Sequence, residues 1–328
     1  MFSLNQNSKI GLRSKRFVWV LFVVGFVILW GGTVACDDVS ESTEPGAWRM
    51  GAIMPNGRSE MPAVVIDEMI YVPGGFGGQT VVEVYDPKAD SWQEVASLPE
   101  GRHHLMAVAH NGRLYAFGGG QGINFRAHNN AWVYDSPADA WQDNVPMPEA
   151  RMSGSAVSLG DYIYIVGGTG GSQALLRYDP AVDVWMKMAD LLVACEHVTA
   201  VVLDGKIYAL GGRWSGSGEL NSVEIYEPAT DSWMMGTPMQ GARAGFAAAV
   251  VGDKIVVAGG EILSGNNQAL RSVEVYDPVT ASWTNGKDLP VGLHGVPAVG
   301  IGDTLYLLGG SDAAGGIENA GRVLISGR

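Results

Sequence analysis

The sequence predicts an all-β protein made of six copies of one unit that close into a ring. Two observations lead to this prediction. The chain of 328 residues contains 46 glycines and only 17% charged residues, a composition that suits many short strands joined by turns better than helices. One pattern of glycine and aromatic residues also returns at intervals of 44 to 50 residues, and such self-similarity is the signature of a repeat architecture.

Each unit is marked by a glycine pair, two aromatic positions and short alternating runs. The glycine pairs begin at Gly74, Gly118, Gly167, Gly211, Gly259 and Gly309. A tyrosine stands three residues before five of the six pairs, and Val256 is the exception. Later in the unit comes VEVYDP or a variant of it, and a tryptophan follows its tyrosine by seven residues. Runs such as KIYAL and VEIYEP, bounded by Gly, Asp-Pro or Asn-Gly turns, predict short strands.

These residues resemble kelch repeats, whose units form the four-stranded blades of a β-propeller. The resemblance covers residues 46–328 and implies one six-bladed propeller, with the tyrosines and tryptophans packed between neighbouring blades. The sixth unit ends without a tryptophan, whereas Trp48 precedes the first full unit. We therefore expect the N-terminal strand to complete the last blade, which closes the ring and hides its edges.

The position ten residues after each tryptophan holds arginine in four units. The six residues there are Arg58, Arg102, Arg151, Cys195, Arg243 and Leu293. The kelch resemblance implies that this arginine anchors the start of the inner strand. The alternative is ligand contact, because a guanidinium matches the geometry of a carboxylate or phosphate. Where Cys195 replaces the arginine, we expect the channel mouth to lose positive charge.

Two residues further on, equal register predicts side chains that point the same way around the central channel. These residues are Glu60, His104, Ser153, His197, Gly245 and Gly295. Convergence of Glu60, His104 and His197 would allow a metal site, although hydrogen-bonded polar channel residues are the preferred explanation. One residue earlier, His103, Glu196 and His294 should point away from that set. Cys195, Glu196 and His197 are therefore not expected to form a catalytic triad.

The stretch from the glycine pair to the third strand is the part of the unit that varies in length. From the first glycine to the tyrosine it spans 11, 16, 11, 15 and 17 residues, and 16 to Ile325 in the last unit. These loops, which carry Arg213, Trp214 and Glu261, share a face with the connections between units. Loops on a rigid scaffold are where recognition is usually placed. The candidate ligand-binding residues of this face are Arg58, Glu60, Arg102, His104, Arg151, His197, Arg213, Trp214, Arg243 and His294.

Residues 1–35 resemble an export signal. A basic stretch precedes FVWVLFVVGFVILWGGTVA, residues 17–35, which contains no charge. The ending GTVAC resembles a bacterial lipoprotein signal and implies lipidation of Cys36, with an uncleaved membrane anchor as the alternative. Residues 36–45 then form a flexible acidic tether. Either reading places the remaining residues outside the cytoplasm, in the bacterial cell envelope.

Charge and family resemblance together narrow the function. Without residues 1–35 the chain has 17 basic against 34 acidic residues, a balance of −17 that argues against nucleic acid as a partner. The preferred function is a membrane-anchored, extracytoplasmic binding module for a protein or glycan, with no catalytic residues and no cofactor.

The alternative function is a sugar-acting enzyme. Kelch propellers include a periplasmic sialic acid mutarotase, and this resemblance implies an acid–base residue and an anion clamp. Glu60, Glu196 and the arginines can fill those roles. A copper radical oxidase of the galactose-oxidase type is not expected, because the sequence contains no Tyr-His pair.

Overall fold

The computed structural model describes residues 46–77, 79–169, 173–214, 217–316 and 321–327. The predicted export signal (1–35), the lipidation site Cys36 and the tether (36–45) lie outside the described residues. Among the residues that are described, no helix has the length and hydropathy needed to cross a membrane.

Within the described ranges, six antiparallel sheets of four strands form the blades of a β-propeller, which confirms the predicted fold class. The strands of the first three blades, from inner to outer, are Val64–Ile66, Met69–Pro73, Val82–Asp86 and Ser91–Val95; Met106–His110, Arg113–Phe117, Ala131–Asp135 and Ala140–Asn144; and Ser155–Leu159, Tyr162–Val166, Leu175–Asp179 and Val184–Lys187. Those of the last three are Thr199–Leu203, Lys206–Leu210, Val223–Glu227 and Ser232–Met235; Ala247–Val251, Lys254–Ala258, Val273–Asp277 and Ser282–Asn285; and Ala298–Ile301, Thr304–Leu308, Val323–Gly327 and Trp48–Met50.

The N-terminal strand closes the ring, as the sequence predicted. Trp48–Met50 pairs antiparallel with Val323–Gly327, and Trp48 lies opposite Ser326. Each inner strand also contacts the inner strands of both neighbouring blades, including the first and the last. The sixth blade is therefore held by both ends of the described chain.

The tryptophans of the outer strands link each blade to the one before it. Each indole N–H donates to the backbone carbonyl four residues after the preceding blade's tryptophan, at 2.8–3.2 Å. The pairs are Trp48 to Lys287, Trp92 to Ala52, Trp141 to Ala96, Trp185 to Val145, Trp233 to Ala189 and Trp283 to Thr237. Each bond contributes about 1 kcal/mol net, and the Trp48 bond completes the circle.

A second circle of hydrogen bonds surrounds the channel mouth, just before the inner strands begin. Each backbone N–H in it donates to the carbonyl of the equivalent residue one blade earlier, at 2.7–3.3 Å. Its members are Glu60, His104, Ser153, His197, Gly245 and Gly295, and all have φ between 51° and 58°. This left-handed conformation suits glycine and costs other residues roughly 1–2 kcal/mol. We call these residues the mouth ring.

Behind the mouth ring the channel is narrow and lined by small side chains. Its volume is about 200 Å³. The position three residues after the mouth ring is alanine in every blade: Ala63, Ala107, Ala156, Ala200, Ala248 and Ala298. Side chains of this size leave room along the axis where six strands converge.

The tyrosines fill the space between most neighbouring blades, with the exception of blades 5 and 6. Tyr208 packs on Tyr276 with ring centroids 6.0 Å apart. The equivalent residues between blades 5 and 6 are Val256 and Ser326, which line an open groove of about 340 Å³. Ser326 pairs with Leu305 just as a tyrosine pairs with its inner neighbour in the other blades. The prediction that Ile325 is equivalent to the third-strand tyrosine of the other blades is therefore wrong by one residue.

The four arginines of the repeat belong to the scaffold, because their side chains are buried inside the blades. Arg58 donates to Glu83 and to the carbonyl of Val72, and Arg243 donates to Glu274 and to the carbonyl of Gly259. Their burial corrects their inclusion among the ligand-binding candidates: the structure leaves Arg58, Arg102, Arg151 and Arg243 no route to a ligand. Arg102 bonds Asn130 and lies 5.3 Å from the Trp132 ring centroid, and Arg151 bonds the carbonyls of Gly167 and Ala174.

Cys195 replaces this arginine in blade 4 and lies in an apolar cluster with Leu191 and Val198. Glu224 is equivalent to Glu83 and Glu274 and, like them, accepts from backbone N–H groups, here those of Leu192 and Val193. Burial raises the pKa of Glu224 above its ordinary value. The expected loss of positive charge at the channel mouth is wrong, because arginines at this position point into the blade.

Three of the four long loops between second and third strands, those of blades 2, 4 and 5, form small hairpins. These pair Gly120–Gln121 with Arg126–Ala127, Arg213–Trp214 with Gly218–Glu219, and Glu261–Ile262 with Gln268–Ala269, and the first contains the 3-10 turn Gly122–Asn124. The loops also hold each other, since Glu219 accepts from the backbone of Leu263 and Ser264. The described parts of the blade 4 and blade 5 loops therefore support each other.

The groove between blades 5 and 6 predicts a stabilising substitution. Val256→Tyr should raise the free energy of unfolding by about 0.5–2 kcal/mol, because it restores an interblade aromatic ring. Chemical unfolding of the full chain measures the change. Tyr208→Val, which removes such a ring from an intact interface, is the matched control and should lower stability. A lower stability in Val256→Tyr would show that the groove does not accept the ring.

The buried ion pair of blade 5 predicts a large loss of stability. Arg243→Met leaves the Glu274 carboxylate without its cation and should cost about 3–5 kcal/mol of unfolding free energy. Adding Glu274→Met should recover much of this loss in the same unfolding assay. Conversely, Cys195→Arg offers Glu224 the missing cation and should raise the unfolding midpoint. A harmless Arg243→Met would contradict the anchoring role.

Candidate functional site

Six side chains form a closed circuit at the channel mouth, with residues from five of the blades. In order around the axis they are Glu60, His104, His197, Arg213, Glu261 and His294, and each contacts the next within 2.5–3.7 Å. The circuit lies above the mouth ring on the loop face. It unites five of the ten predicted binding residues and adds Glu261.

Glu60, His104 and His197 converge, as equal register predicted. His104 Nε2 lies 3.2 Å from Glu60 Oε2 and 3.1 Å from His197 Nε2. One ligand atom of each residue falls within 4.8 Å of the other two, a spacing that can hold a metal ion. All three belong to the mouth ring, so backbone hydrogen bonds fix the positions from which the side chains start.

The prediction that His103, Glu196 and His294 point away from this set is wrong. His103 Nδ1 lies 2.6 Å from His104 Nδ1, and Glu196 Oε1 lies 3.6 Å from His197 Nδ1. His294 Nε2 lies 3.7 Å from Glu60 Oε1. Strand alternation does not apply here, because these residues precede the inner strands and the left-handed mouth-ring residue turns the chain.

Side chains that directly follow a glycine pair supply a further layer of the site in several blades. Arg213 pairs with Glu196 in an isolated bridge, and its guanidinium lies 3.1 Å from His197 Nε2. Phe76 stacks on His103 with centroids 4.1 Å apart, and Thr169 donates to Glu196 at 2.7 Å. Sequence reasoning missed Phe76 and Thr169 as site residues. Both residues directly follow a glycine pair, and this fixed place in the repeat could have identified them.

Burial and neighbouring charges set the protonation of the site. Burial lowers the pKa of His104 well below its ordinary value, and nearby cationic groups act in the same direction. Burial also lowers the pKa of His103. The Nδ1–H of His197 lowers the pKa of Glu196 to about 2, and the Thr169 hydroxyl adds to this effect. At neutral pH His103 and His104 are therefore neutral, and the nearby Glu196 carboxylate is ionised.

Cys195 takes no part in this chemistry. Burial raises the pKa of its thiol to about 12, so the thiolate that a nucleophile or metal ligand requires is not formed near neutral pH. Its neighbours are the apolar side chains of its cluster. This protonated, buried thiol does not suit the nucleophile of a triad with Glu196 and His197.

Exposed apolar side chains from three blades lie on the loop face beside the charged centre. They are Ile123 and Phe125 in blade 2, Trp214 in blade 4 and Leu263 in blade 5, with exposed fractions of 86%, 48%, 37% and 37%. Phe125 also packs edge-on against His104, at 5.6 Å between ring centroids. We call these four residues the apolar rim. Trp214, a predicted binding residue, belongs to the rim and not to the circuit.

Comparison with known proteins supports the repeat assignment. The family described as Kelch motif matches residues 57–99, 101–148, 194–240 and 242–290, more than half of the chain. Kelch-like protein 35 of Mus musculus is 34% identical over 196 residues, 56% of this chain and 32% of that protein. Kelch repeat and BTB domain-containing protein 1 of cowpox virus is 27% identical over 110 residues, 30% of this chain and 20% of that protein. The chain thus spans a third or less of these relatives.

A solved structure described as "Structure of YjhT" shares the fold. Its TM-score to this chain is 0.73 at 16% sequence identity, and the match covers 84% of this chain and 96% of that one. The third and sixth blades, which fall outside the matched kelch segments, have the same four-stranded order as the other four. This chain belongs to the kelch-repeat family and folds as a six-bladed β-propeller.

Proposed function

We propose that this kelch propeller is a recognition module that binds a protein partner on its loop face. The apolar rim beside a recessed polar centre is the observation that carries this proposal. Aromatic side chains such as those of Phe125 and Trp214 are enriched at protein interfaces. Hydrogen bonds between the loops of blades 4 and 5 hold part of the rim in place before a partner arrives, which lowers the entropic cost of binding.

Substitution of the rim tests this function. Phe125→Ser with Trp214→Ser should reduce recovery of crosslinked partners by the full chain at least about tenfold, because aromatic anchors dominate interface energies. The matched control is Val182→Ser with Val279→Ser, since these exposed valines lie in turns between third and fourth strands, on the opposite face. Equal recovery by both double variants would place the binding surface elsewhere. If the chain binds a glycan array and recovers no protein, the partner is a glycan and not a protein.

We also propose that the module is anchored to a membrane and displayed outside the cytoplasm. The support is the uncharged stretch of residues 17–35 between a basic segment and Cys36. The N-terminal peptide of the mature protein should begin at Cys36 and carry the mass of attached lipid in mass spectrometry. Cys36→Ser should abolish that mass. A Cys36 peptide without lipid would refute the lipoprotein assignment.

A sugar-acting enzyme is the second candidate, and one observation favours it. The Arg213 guanidinium lies beside the carboxylates of Glu196 and Glu261 at a partly exposed channel mouth, where a cation and acid–base groups can meet an acidic sugar. The full chain should then accelerate the interconversion of sialic acid anomers followed by NMR. An unchanged rate would remove this candidate.

A further inference from the structure

The hydrogen bonds of two neighbouring histidines determine where the lone pair of His104 points. His103 Nε2 lies 2.8 Å from the carbonyl oxygen of Gly122, which can only accept, so this nitrogen carries the proton. In the neutral ring, His103 Nδ1 is then an acceptor. His104 Nδ1, at 2.6 Å, must donate to it. His104 Nε2 is therefore left with a lone pair that faces Glu60 and His197.

The other two groups present lone pairs to the same point. His197 Nε2 lies 3.1 Å from Arg213 Nη2, which can only donate, so His197 Nε2 is an acceptor. An ionised Glu60 carboxylate can also only accept. Three electron-pair donors thus face one another, with 3.1 and 3.2 Å between His104 Nε2 and its two neighbours. Such an arrangement is repulsive unless a proton or a metal cation lies between them.

We propose that Glu60, His104 and His197 bind one divalent first-row transition-metal ion of the Zn²⁺ class. Metal–ligand distances of about 2.0–2.1 Å place adjacent ligand atoms about 3.0–3.4 Å apart, which the two shorter separations match. Two imidazoles and one carboxylate are a donor set that such ions favour over Mg²⁺ or Ca²⁺. Three protein ligands leave coordination positions for water or for an atom of a bound partner.

The surroundings of the three ligands fit a divalent cation. Three carboxylates, those of Glu60, Glu196 and Glu261, lie in the site beside the single guanidinium of Arg213. The second nitrogen of each ligating imidazole also faces an acceptor, His103 Nδ1 for His104 and Glu196 for His197. Such outer contacts orient metal-binding imidazoles and increase their basicity.

The backbone conformation of the ligands is an independent reason to assign them a function. Blades 5 and 6 place glycine in the mouth ring, where φ is positive, whereas Glu60, His104 and His197 adopt the same φ with full side chains. Since the ring itself needs only backbone groups, glycine would serve the scaffold at lower cost. The three side chains therefore carry a conformational cost that glycine would avoid.

Arg213 competes with the ion for His197. Its guanidinium covers the lone pair of His197 Nε2 and must move away when the ion binds. Glu196 and Glu261 lie on either side to receive it, and its side chain is 21% exposed. Removal of this guanidinium should therefore strengthen metal binding, an outcome that a purely structural role of the circuit does not predict.

Metal titration of the full chain tests the proposal. The protein is purified in detergent without a histidine tag, stripped with a chelator and titrated with Zn²⁺ against a chromogenic competitor. We expect one Zn²⁺ per chain and, for His104→Gly and His197→Gly, affinity losses of more than about 100-fold. Glu196→Gln should lose about 10–100-fold, and Arg213→Met should gain at least about tenfold.

Matched variants separate the metal site from folding effects. Glycine already occupies the mouth ring in two blades, so the glycine variants should fold, which circular dichroism checks. Ser153→Gly, at the same ring position without a proposed ligand, and His110→Ala, at the far end of an inner strand, should bind Zn²⁺ as the unmodified chain does. The rim is intact in every variant, so failure of partner binding and failure of metal binding remain distinct. Less than one Zn²⁺ per chain, unchanged affinity in the two histidine variants, or weaker binding in Arg213→Met would overturn the proposal.

Discussion

The circle of backbone hydrogen bonds at the channel mouth is the interaction on which this molecule depends. It joins each blade to the one before through an N–H and a carbonyl of a residue with positive φ, and the bond from Glu60 to the carbonyl of Gly295 closes it. Because only backbone atoms take part, the circle requires a conformation and not a particular side chain. The tryptophan hydrogen bonds join neighbouring blades at their outer strands, as this circle joins them near the axis.

Because scaffold and binding roles belong to different residues, the positions that can vary are separate from those that hold the fold. The scaffold is fixed by residues that point into blades or between them, such as the buried pair of Arg243 and Glu274. The side chains of the mouth ring project from a fixed backbone into the channel mouth, where five blades contribute to one polar circuit. The arrangement pre-positions charged groups without loops that must order on binding, which is the requirement for a specific site. Blade 4 shows the same logic, because it lost its scaffold arginine at Cys195 while Arg213 supplies positive charge to the site.

Much of the fold could be predicted from the sequence, because the same pattern of glycine and aromatic residues recurs in six units. The glycine pairs and tryptophans located the strands, and Trp48 revealed the closure. Register also predicted that Glu60, His104 and His197 meet. The positions of His103, Glu196 and His294 could not be derived, because alternation assumes extended backbone and the left-handed mouth ring breaks it. The burial of the arginines and the pairing of Ser326 in place of Ile325 likewise depend on three-dimensional packing and strand register, which residue spacing alone does not encode.

We infer that the backbone hydrogen bonds of the mouth ring support folding, whereas its side chains serve binding. The most direct test is the thermal unfolding midpoint of the full chain and of the triple variant Glu60→Gly, His104→Gly, His197→Gly, each with and without Zn²⁺. We expect the variant to unfold at the same or a higher temperature without metal, since glycine relieves the conformational cost. Zn²⁺ should raise the midpoint of the unmodified chain alone. A variant that fails to fold, or one that Zn²⁺ stabilises as strongly as the unmodified chain, would contradict this inference.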